Sequence, residues 1–376
     1  MAMSLPVSNP GAAPRTEPVI KADEFISLTF RPQPGEGIPG LCRRLATSMQ
    51  THAATVVHLL VYGHVGVRAA TLDALRNAFG RLNFPITWAE GAACNGSLIA
   101  GIQAYAFTGD VERIESGGRV VGSIFTEGGA RQCLIGGLTP ADKTLSRADQ
   151  TTMTLEHLQT VLSRGGFELA DTVRTWFFLE NILSWYDDFN RARTKIYSGV
   201  KFRSGSAPAS TGVGAKNPDG TALMLAAWAV RPLKSTAQAR EIASPLQCPA
   251  PAYNSTFSRA MEVSSSSGRR LFISGTASIA HGGKTLWVGD VRKQIDLTMD
   301  VVEAILRSRG MSFADLTRAT AYFRHPIDAV LFVQWLTSNR SVKIPILTAQ
   351  CDVCRDDLLF ELEADAETGN PDLHQA

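Results

Sequence analysis

Two stretches of the chain carry the same alternation of apolar and polar positions. With Thr154 laid on Thr298, the segment Thr154-Leu-Glu-His-Leu-Gln-Thr-Val-Leu-Ser-Arg-Gly-Gly-Phe-Glu-Leu-Ala-Asp-Thr-Val-Arg falls on Thr298-Met-Asp-Val-Val-Glu-Ala-Ile-Leu-Arg-Ser-Arg-Gly-Met-Ser-Phe-Ala-Asp-Leu-Thr-Arg. Leu162/Leu306, Gly166/Gly310, Ala170/Ala314, Asp171/Asp315 and Arg174/Arg318 are identical. Apolar residues at 155, 158, 161 and 162, and at 299, 302, 305 and 306, recur at helical spacing and predict one buried stripe in each copy. Gly166 and Gly310 are placed to stop these helices. The aromatic and β-branched runs 173–179 and 316–323 then predict strands.

The rest of each copy follows the same grammar. A hairpin is predicted before the helix (around 132–138 and 270–279), a second helix after the strand (182–197 and 326–336), and a closing strand last (222–230 and 358–364). The order ββαβαβ predicts a mixed sheet with two helices on one face. The bare face of each sheet needs cover, so the two copies are expected to pack face to face. Upstream, 55–62 reads as a strand and 71–79 as a helix, which points to a degenerate third unit without a clean sequence match. The resulting division is a mobile tail (1–20), an N-terminal degenerate unit (21–117), unit one (118–235), unit two (250–366) and a mobile tail (367–376).

Composition narrows the classes of function. At 376 residues, 44% hydrophobic and 19% charged, the chain can bury a full core. Thirty-seven Lys+Arg against 35 Asp+Glu, with no dense basic run, argue against nucleic acid as a partner. No apolar stretch approaches membrane-spanning length, and the first residues lack the pattern of a signal peptide, so a cytoplasmic location is expected. Six cysteines are scattered apart from Cys351-x-x-Cys354, which lacks further zinc ligands at matched spacing and precedes a strand. They read as free, mostly buried thiols. The seven histidines lie in no hydrolase or metalloprotease motif. The glycine-containing stretches 206–214, read as a loop, and 274–278, read as a strand exit, do not form a phosphate loop. Neither a metal nor a cofactor is implied.

Chemistry concentrates in the closing strand of unit two. In Leu358-Leu-Phe-Glu-Leu-Glu363, two-residue alternation puts Leu359, Glu361 and Glu363 on one face. The aligned strand of unit one, Ala222-Leu-Met-Leu-Ala-Ala-Trp228, has no carboxylate. Glu361, flanked by Leu359 and Phe360, is expected to be partly desolvated, which raises a carboxyl toward the range of a general acid. Glu363, nearer the strand end, reads more simply as facing water. Arg193, Arg231, Arg324 and Arg355 fall near the ends of core elements, where a cleft for a dianion could form. Tyr186 and Arg193 are two helical turns apart and share a face.

These residues bring a resemblance into view. Each copy resembles the RidA-type (YjgF-like) fold, usually a homotrimer with ligand clefts between subunits, over about 118–230 and 256–365. The implied fold class is α/β (α+β), with tandem RidA/YjgF-like (chorismate mutase-like) units, mixed sheets and a pseudo-trimeric arrangement. Within that superfamily the chain looks most like the chorismatases, which hold two such units in one chain. The supporting stretches are Ala207-Pro-Ala-Ser-Thr-Gly-Val-Gly214, Phe257-Ser-Arg-Ala-Met-Glu262, Ser274-Gly-Thr-Ala-Ser-Ile279 and Cys354-Arg-Asp-Asp-Leu-Leu-Phe-Glu361, the last being the most specific. Chorismatases remove pyruvate from chorismate without metal or cofactor. The resemblance implies that Glu361 protonates the enolpyruvyl methylene, and that Tyr186, Arg193, Arg231 and Arg324 grip the two carboxylates. Capture of the resulting cationic centre by water would give a dihydrodiol acid. Displacement of the side chain by the ring hydroxyl would give an aromatic acid. Cys354, before the arginine of the last motif, resembles the 3-hydroxybenzoate-forming type; some relatives also release 4-hydroxybenzoate. The loop His281-Gly-Gly-Lys-Thr-Leu-Trp-Val-Gly-Asp290 departs from the usual pattern and bears on the product type.

Two other readings remain at this level. A RidA-type imine deaminase would need an arginine shortly after a proline, but Pro208-Ala-Ser-Thr and Pro345-Ile-Leu-Thr have none. A binding module that merely keeps the fold is the other. The expected partner is thus a small molecule, chorismate, with no nucleic acid and no membrane, and a monomer is plausible through an internal pseudo-trimer.

Overall fold

The computed structural model describes residues 24–253, 255–339 and 344–369. The N-terminal unit comprises β1 (Phe25–Phe30), α1 (Ile38–Thr51), β2 (Thr55–Gly63), α2 (Arg68–Phe79), β3 (Ile86–Ala89) and β4 (Ile99–Phe107). Unit one comprises β5 (Glu112–Ser116), β6 (Arg119–Glu127), β7 (Ala130–Leu138), α3 (Arg147–Arg164), β8 (Thr172–Leu179), α4 (Tyr186–Tyr197), β9 (Ala209–Gly214) and β10 (Leu223–Pro232). Unit two repeats that order with β11 (Gln238–Ile242), β12 (Ala260–Ser265), β13 (Gly268–Ala277), α5 (Val291–Ser308), β14 (Leu316–Phe323), α6 (Ala329–Ser338), β15 (Ile346–Gln350) and β16 (Phe360–Gly369).

The sheets of units one and two have the same strand order, β5-β6-β7-β10-β8-β9 and β11-β12-β13-β16-β14-β15. The N-terminal sheet, β1-β4-β2-β3, reproduces the last four of these positions. In each sheet one pair is parallel (β2/β3, β8/β9, β14/β15) and the other pairs are antiparallel. The three α/β units are thus variants of one mixed-sheet design.

Local chemistry explains why the repeated residues recur. Ser146 and Asp290 cap α3 and α5 by accepting the N–H of Asp149 and Lys293. Gly166 and Gly310 adopt φ of 77° and 66°. There the Phe167 and Met311 N–H groups donate back to Leu162 and Leu306, closing the helix ends in the manner that favours glycine. Asp171 and Asp315 each accept the N–H three residues earlier, from Glu168 and Ser312, which fixes the turn into β8 and β14.

Several expected elements differ. Residues 209–214, read as part of a loop, form β9, and 346–350 form β15. Their glycines and prolines masked short strands that gain their identity from parallel pairing with β8 and β14. Residues 274–277 lie inside β13 rather than at a strand exit. The second helices begin later than expected, at Tyr186 and Ala329, each after a short 3₁₀ turn. The closing strand of unit two runs through Gly369, because β16 pairs with β13 along its length; residues 367–369 therefore belong to the sheet. The other tail residues, 1–20 and 370–376, lie outside the described residues.

The bare sheet faces meet three ways rather than two. A shared core draws Phe25, Tyr62 and Phe107 from the N-terminal unit, Phe125, Trp176 and Trp228 from unit one, and Met261, Phe272 and Tyr322 from unit two. Trp228 shows the mixing: its ring lies 5.1 Å from that of Phe25, 5.3 Å from Tyr105 and 4.9 Å from Phe272. The helices of each unit cover the opposite sheet face with separate apolar clusters. Units packed this way leave seams between them, and one of these opens beside Glu361.

Candidate active site

The open seam lies between units one and two. It is a cleft of about 770 Å³ lined by residues of α4 and β9 from unit one, β13 and β16 from unit two, and the segments 255–259 and 354–357. Glu361 forms part of its wall and is only 4% exposed. Alternation along β16 sends Phe360 and Leu362 into the helix-side core, so Glu361 and Glu363 point the other way. Room for the Glu361 carboxyl comes from Gly275: a Cβ there would sit 2.0 Å from Oε1 of Glu361. Gly275 occupies an irregularity in the β13/β16 pairing between Ile273 and Thr276, a usual place for a glycine that permits close approach.

Glu361 has no side-chain hydrogen bond or ion pair among the described residues. Burial, then the charge of Glu363, pushes its carboxyl up to about 8, while Arg174 and Arg259 pull the other way. A carboxyl in that range is protonated at neutral pH and can donate its proton. Glu363 does not face water as expected. It is fully buried between Arg174 (2.6 Å) and Arg318 (2.9 Å) and accepts from the Tyr322 hydroxyl at 3.1 Å. Burial pushes Glu363 up, but the two guanidinium groups bring it net below the usual carboxylate range.

Arg193 projects from α4 into the same cleft and is 2% exposed. Its guanidinium lies over the rings of Phe189, Phe177 and Phe257 at 5.0, 5.8 and 5.9 Å, and donates to Asn190 at 2.8 Å and Ser210 at 3.4 Å. No carboxylate pairs with it among the described residues, so its charge is available to an anion. Arg259 also approaches Phe257, with its guanidinium 5.6 Å from that ring and its Nε donating to the Cys248 carbonyl. Two buried cations therefore lie within 6 Å of one aromatic ring. Tyr186, the first residue of α4, lines the cleft and hydrogen-bonds the Cys354 thiol. Burial and the charge of Glu361 push that thiol up to about 12, so it is a neutral, compact wall element.

Two expected arginines lie elsewhere. Arg231 is near the far end of β10, where its guanidinium donates to the Gly166 carbonyl. Met224 occupies the place on β10 that Glu361 has on β16, and seven residues of strand, roughly 23 Å, separate Met224 from Arg231. Arg324 does not line the cleft; it donates to the Asp356 carbonyl and lies 3.9 Å from Asp352, bracing the segment that carries Cys354. Arg355 does line the cleft, and donates to the Gly283 carbonyl in the divergent 281–290 loop. Arg259 and Gly275 were not singled out from sequence, although a glycine within an otherwise strand-like run marks close approach. All six cysteines are free, and the described residues hold no cluster of His, Cys, Asp and Glu able to bind a metal ion.

Taken together, a tandem α/β pseudo-trimer and a deep interunit cleft with a buried glutamate, its carboxyl pushed up to about 8, and two buried guanidinium groups fit an acid-catalyst class of site for an anionic ligand. Comparison with known proteins gives that class a name. A solved chorismatase superposes with a TM-score of 0.64 over 92% of this chain and 98% of its own, at 20% identity, so the chain shares the chorismatase fold. In sequence it is similar to a 3-hydroxybenzoate synthase of Streptomyces hygroscopicus, 28% identical over 224 residues, covering 52% of this chain and 64% of that protein. It is also similar to a chorismatase of the same organism, 28% identical over 214 residues, covering 50% and 60%. The match thus spans somewhat less than two thirds of either relative. No protein-family model matches the chain. No helix among the described residues is long and apolar enough to cross a membrane.

Proposed function

We propose that the chain is a chorismatase that converts chorismate to 3-hydroxybenzoate and pyruvate without a cofactor. The observation that carries this reading is Glu361, buried with its carboxyl pushed up to about 8, in a cleft with two buried guanidinium groups, Arg193 and Arg259. Chorismate is a dianion whose enol ether accepts a proton at carbon. Arg193 and Arg259 hold the carboxylates, and Tyr186 and Phe257 shape the space between. Glu361 protonates the terminal methylene of the enolpyruvyl group, which becomes the methyl of pyruvate and leaves an oxocarbenium-like carbon. The buried arginines lower the cost of holding a doubly charged ligand away from water.

Collapse of that intermediate decides the product. Loss of the side chain with assistance from the ring hydroxyl, followed by aromatisation, gives 3-hydroxybenzoate and pyruvate with no net gain of water. Cys354, partly buried beside Tyr186 and Glu361, fills space that a nucleophilic water would need, which favours this course. Chromatography of the products from chorismate tests the assignment. Equimolar pyruvate and 3-hydroxybenzoate are expected; a dihydrodiol acid with pyruvate would make the protein a chorismate hydrolase. Absence of pyruvate would remove the activity altogether.

A further inference from the structure

Behind the cleft wall, four buried charged side chains meet in the centre of the molecule. Arg174 and Arg318 are 0% and 1% exposed, as are Glu363 and Asp365 respectively. Glu363 pairs with both arginines, and Asp365 pairs with Arg318 at 2.8 Å. Two cations are thereby matched by two anions. The other titratable groups packed here are neutral: burial drives His58 down to about 3 and holds Tyr62, Tyr105 and Tyr322 above their ordinary range. An ionised Glu361 would add a negative charge beside this already balanced set, against the repulsion of Glu363.

The connection from this centre to Glu361 is short and covalently defined. Glu361 and Glu363 are two residues apart on one face of β16. The Thr211 hydroxyl hydrogen-bonds Glu363, and it accepts from Arg174 at 2.7 Å and from the Gly275 N–H at 3.0 Å. Gly275 is the residue against which the Glu361 carboxyl rests. Charged and titratable groups around Glu361 come from every neighbouring element: Glu363 on β16, Arg174 on β8, Tyr322 on β14, Arg193 and Tyr186 on α4, Arg259 before β12, and Cys351, Asp352, Cys354 and Arg355 from the segment before β16.

We propose that Glu363, clamped by Arg174 and Arg318, is a positioning residue whose balanced charge keeps Glu361 in its protonated, proton-donating form. This rests on the reading of Glu361 as the acid. By pairing with both central arginines, Glu363 offsets the pull of Arg174 on Glu361 and sets its own negative charge beside it. Glu363→Gln leaves the centre with one excess positive charge and removes the repelling neighbour, so Glu361 ionises more readily. Arg174→Gln has the opposite effect. The double variant restores neutrality.

The test is an infrared titration of the Glu361 carboxyl C=O band, isolated by subtracting the spectrum of Glu361→Gln in the same background. It needs no substrate and so stands apart from the activity assay. The midpoint is expected to fall by at least about one pH unit in Glu363→Gln, to rise in Arg174→Gln, and to return near the parent value in Glu363→Gln/Arg174→Gln. The alkaline limb of kcat should follow, with roughly a tenfold loss per unit of downward shift once the pH exceeds the midpoint. Unshifted midpoints, or shifts of the same sign in both single variants, would overturn the proposal; if one single variant fails to fold, the other and the charge-balanced double variant decide it. Normal midpoint shifts with no chorismate turnover would sink the chorismatase reading and leave this one standing.

Discussion

The three seams between units offer the same framework, and the place equivalent to Glu361 opens on a cleft between units one and two. Strand register makes Glu361 of β16, Met224 of β10 and Gly101 of β4 equivalent, opposite Tyr322, Phe178 and Tyr62. The same tie recurs beside the first two: Gly275 N–H donates to Thr211, and Gly137 N–H donates to Thr87 at 2.9 Å. Yet a Cβ at Gly137 would lie 2.4 Å from the Ile86 carbonyl, and one at Gly101 would meet the Phe30 carbonyl at 2.3 Å and Leu347 at 2.7 Å. Backbone and aliphatic side chains fill those two seams. At Gly275 the corresponding space is taken by the carboxyl of Glu361. The difference teaches that the fold supplies three equivalent strand positions, and that packing fills two while a glycine, a carboxyl and two arginines line the third.

The largest effect on this contrast is expected from making the open seam resemble its counterparts. Glu361→Gln should lower kcat by about 10²–10⁴-fold, the range of a positioned proton donor, while leaving ligand-induced stabilisation intact in thermal shifts with chorismate. The same substitution sharpens a stability claim. A carboxyl raised to about 8 supports the folded state fully below the ordinary glutamate range and loses that support as pH climbs to 8. The melting temperature of Glu361→Gln relative to the parent should therefore grow between about pH 5 and 8 and then level off.

Next in size is Arg193→Gln. Removing one of two buried anchors is expected to cost about 10–100-fold in kcat/KM, since a hydrogen bond to a charged group contributes about 1.5–3 kcal/mol. An unchanged kcat/KM would place the carboxylates elsewhere. Gly275→Ala should displace the Glu361 carboxyl and reduce kcat by about tenfold or more, with a smaller change in KM; steady-state kinetics separates the two. Cys354→Ala is expected to shift product from aromatic acid toward the dihydrodiol, read by chromatography. An unaltered ratio would remove the thiol from product choice. Arg231→Ala, remote from the cleft, should leave kcat/KM within about twofold and stability within about 0.5 kcal/mol.

Much of this framework was legible in the chain because it is written in local chemistry. Helix-stopping Gly166 and Gly310, turn-fixing Asp171 and Asp315, and alternation around Glu361 each act within a few residues. The short strands β9 and β15 were not legible, since they exist through parallel partners far along the chain. The N-terminal unit kept its topology with little sequence trace because a sheet order constrains apolar character more than residue identity. Arginine was the least readable. Arg193 and Arg231 both precede no obvious partner, and only packing puts one under three aromatic rings and the other beside the Gly166 carbonyl. Arg174 and Arg318 were visible as identities between copies, but their shared clamp on Glu363 requires two units to meet.

Glu361 acting as a protonated acid is tested most directly by the dependence of kcat on pH with chorismate. The expected profile is level through neutrality and falls above about pH 8, approaching tenfold per unit, with the limb absent from the residual rate of Glu361→Gln. A kcat that rises with pH across that range, or stays level well beyond it, would contradict the assignment.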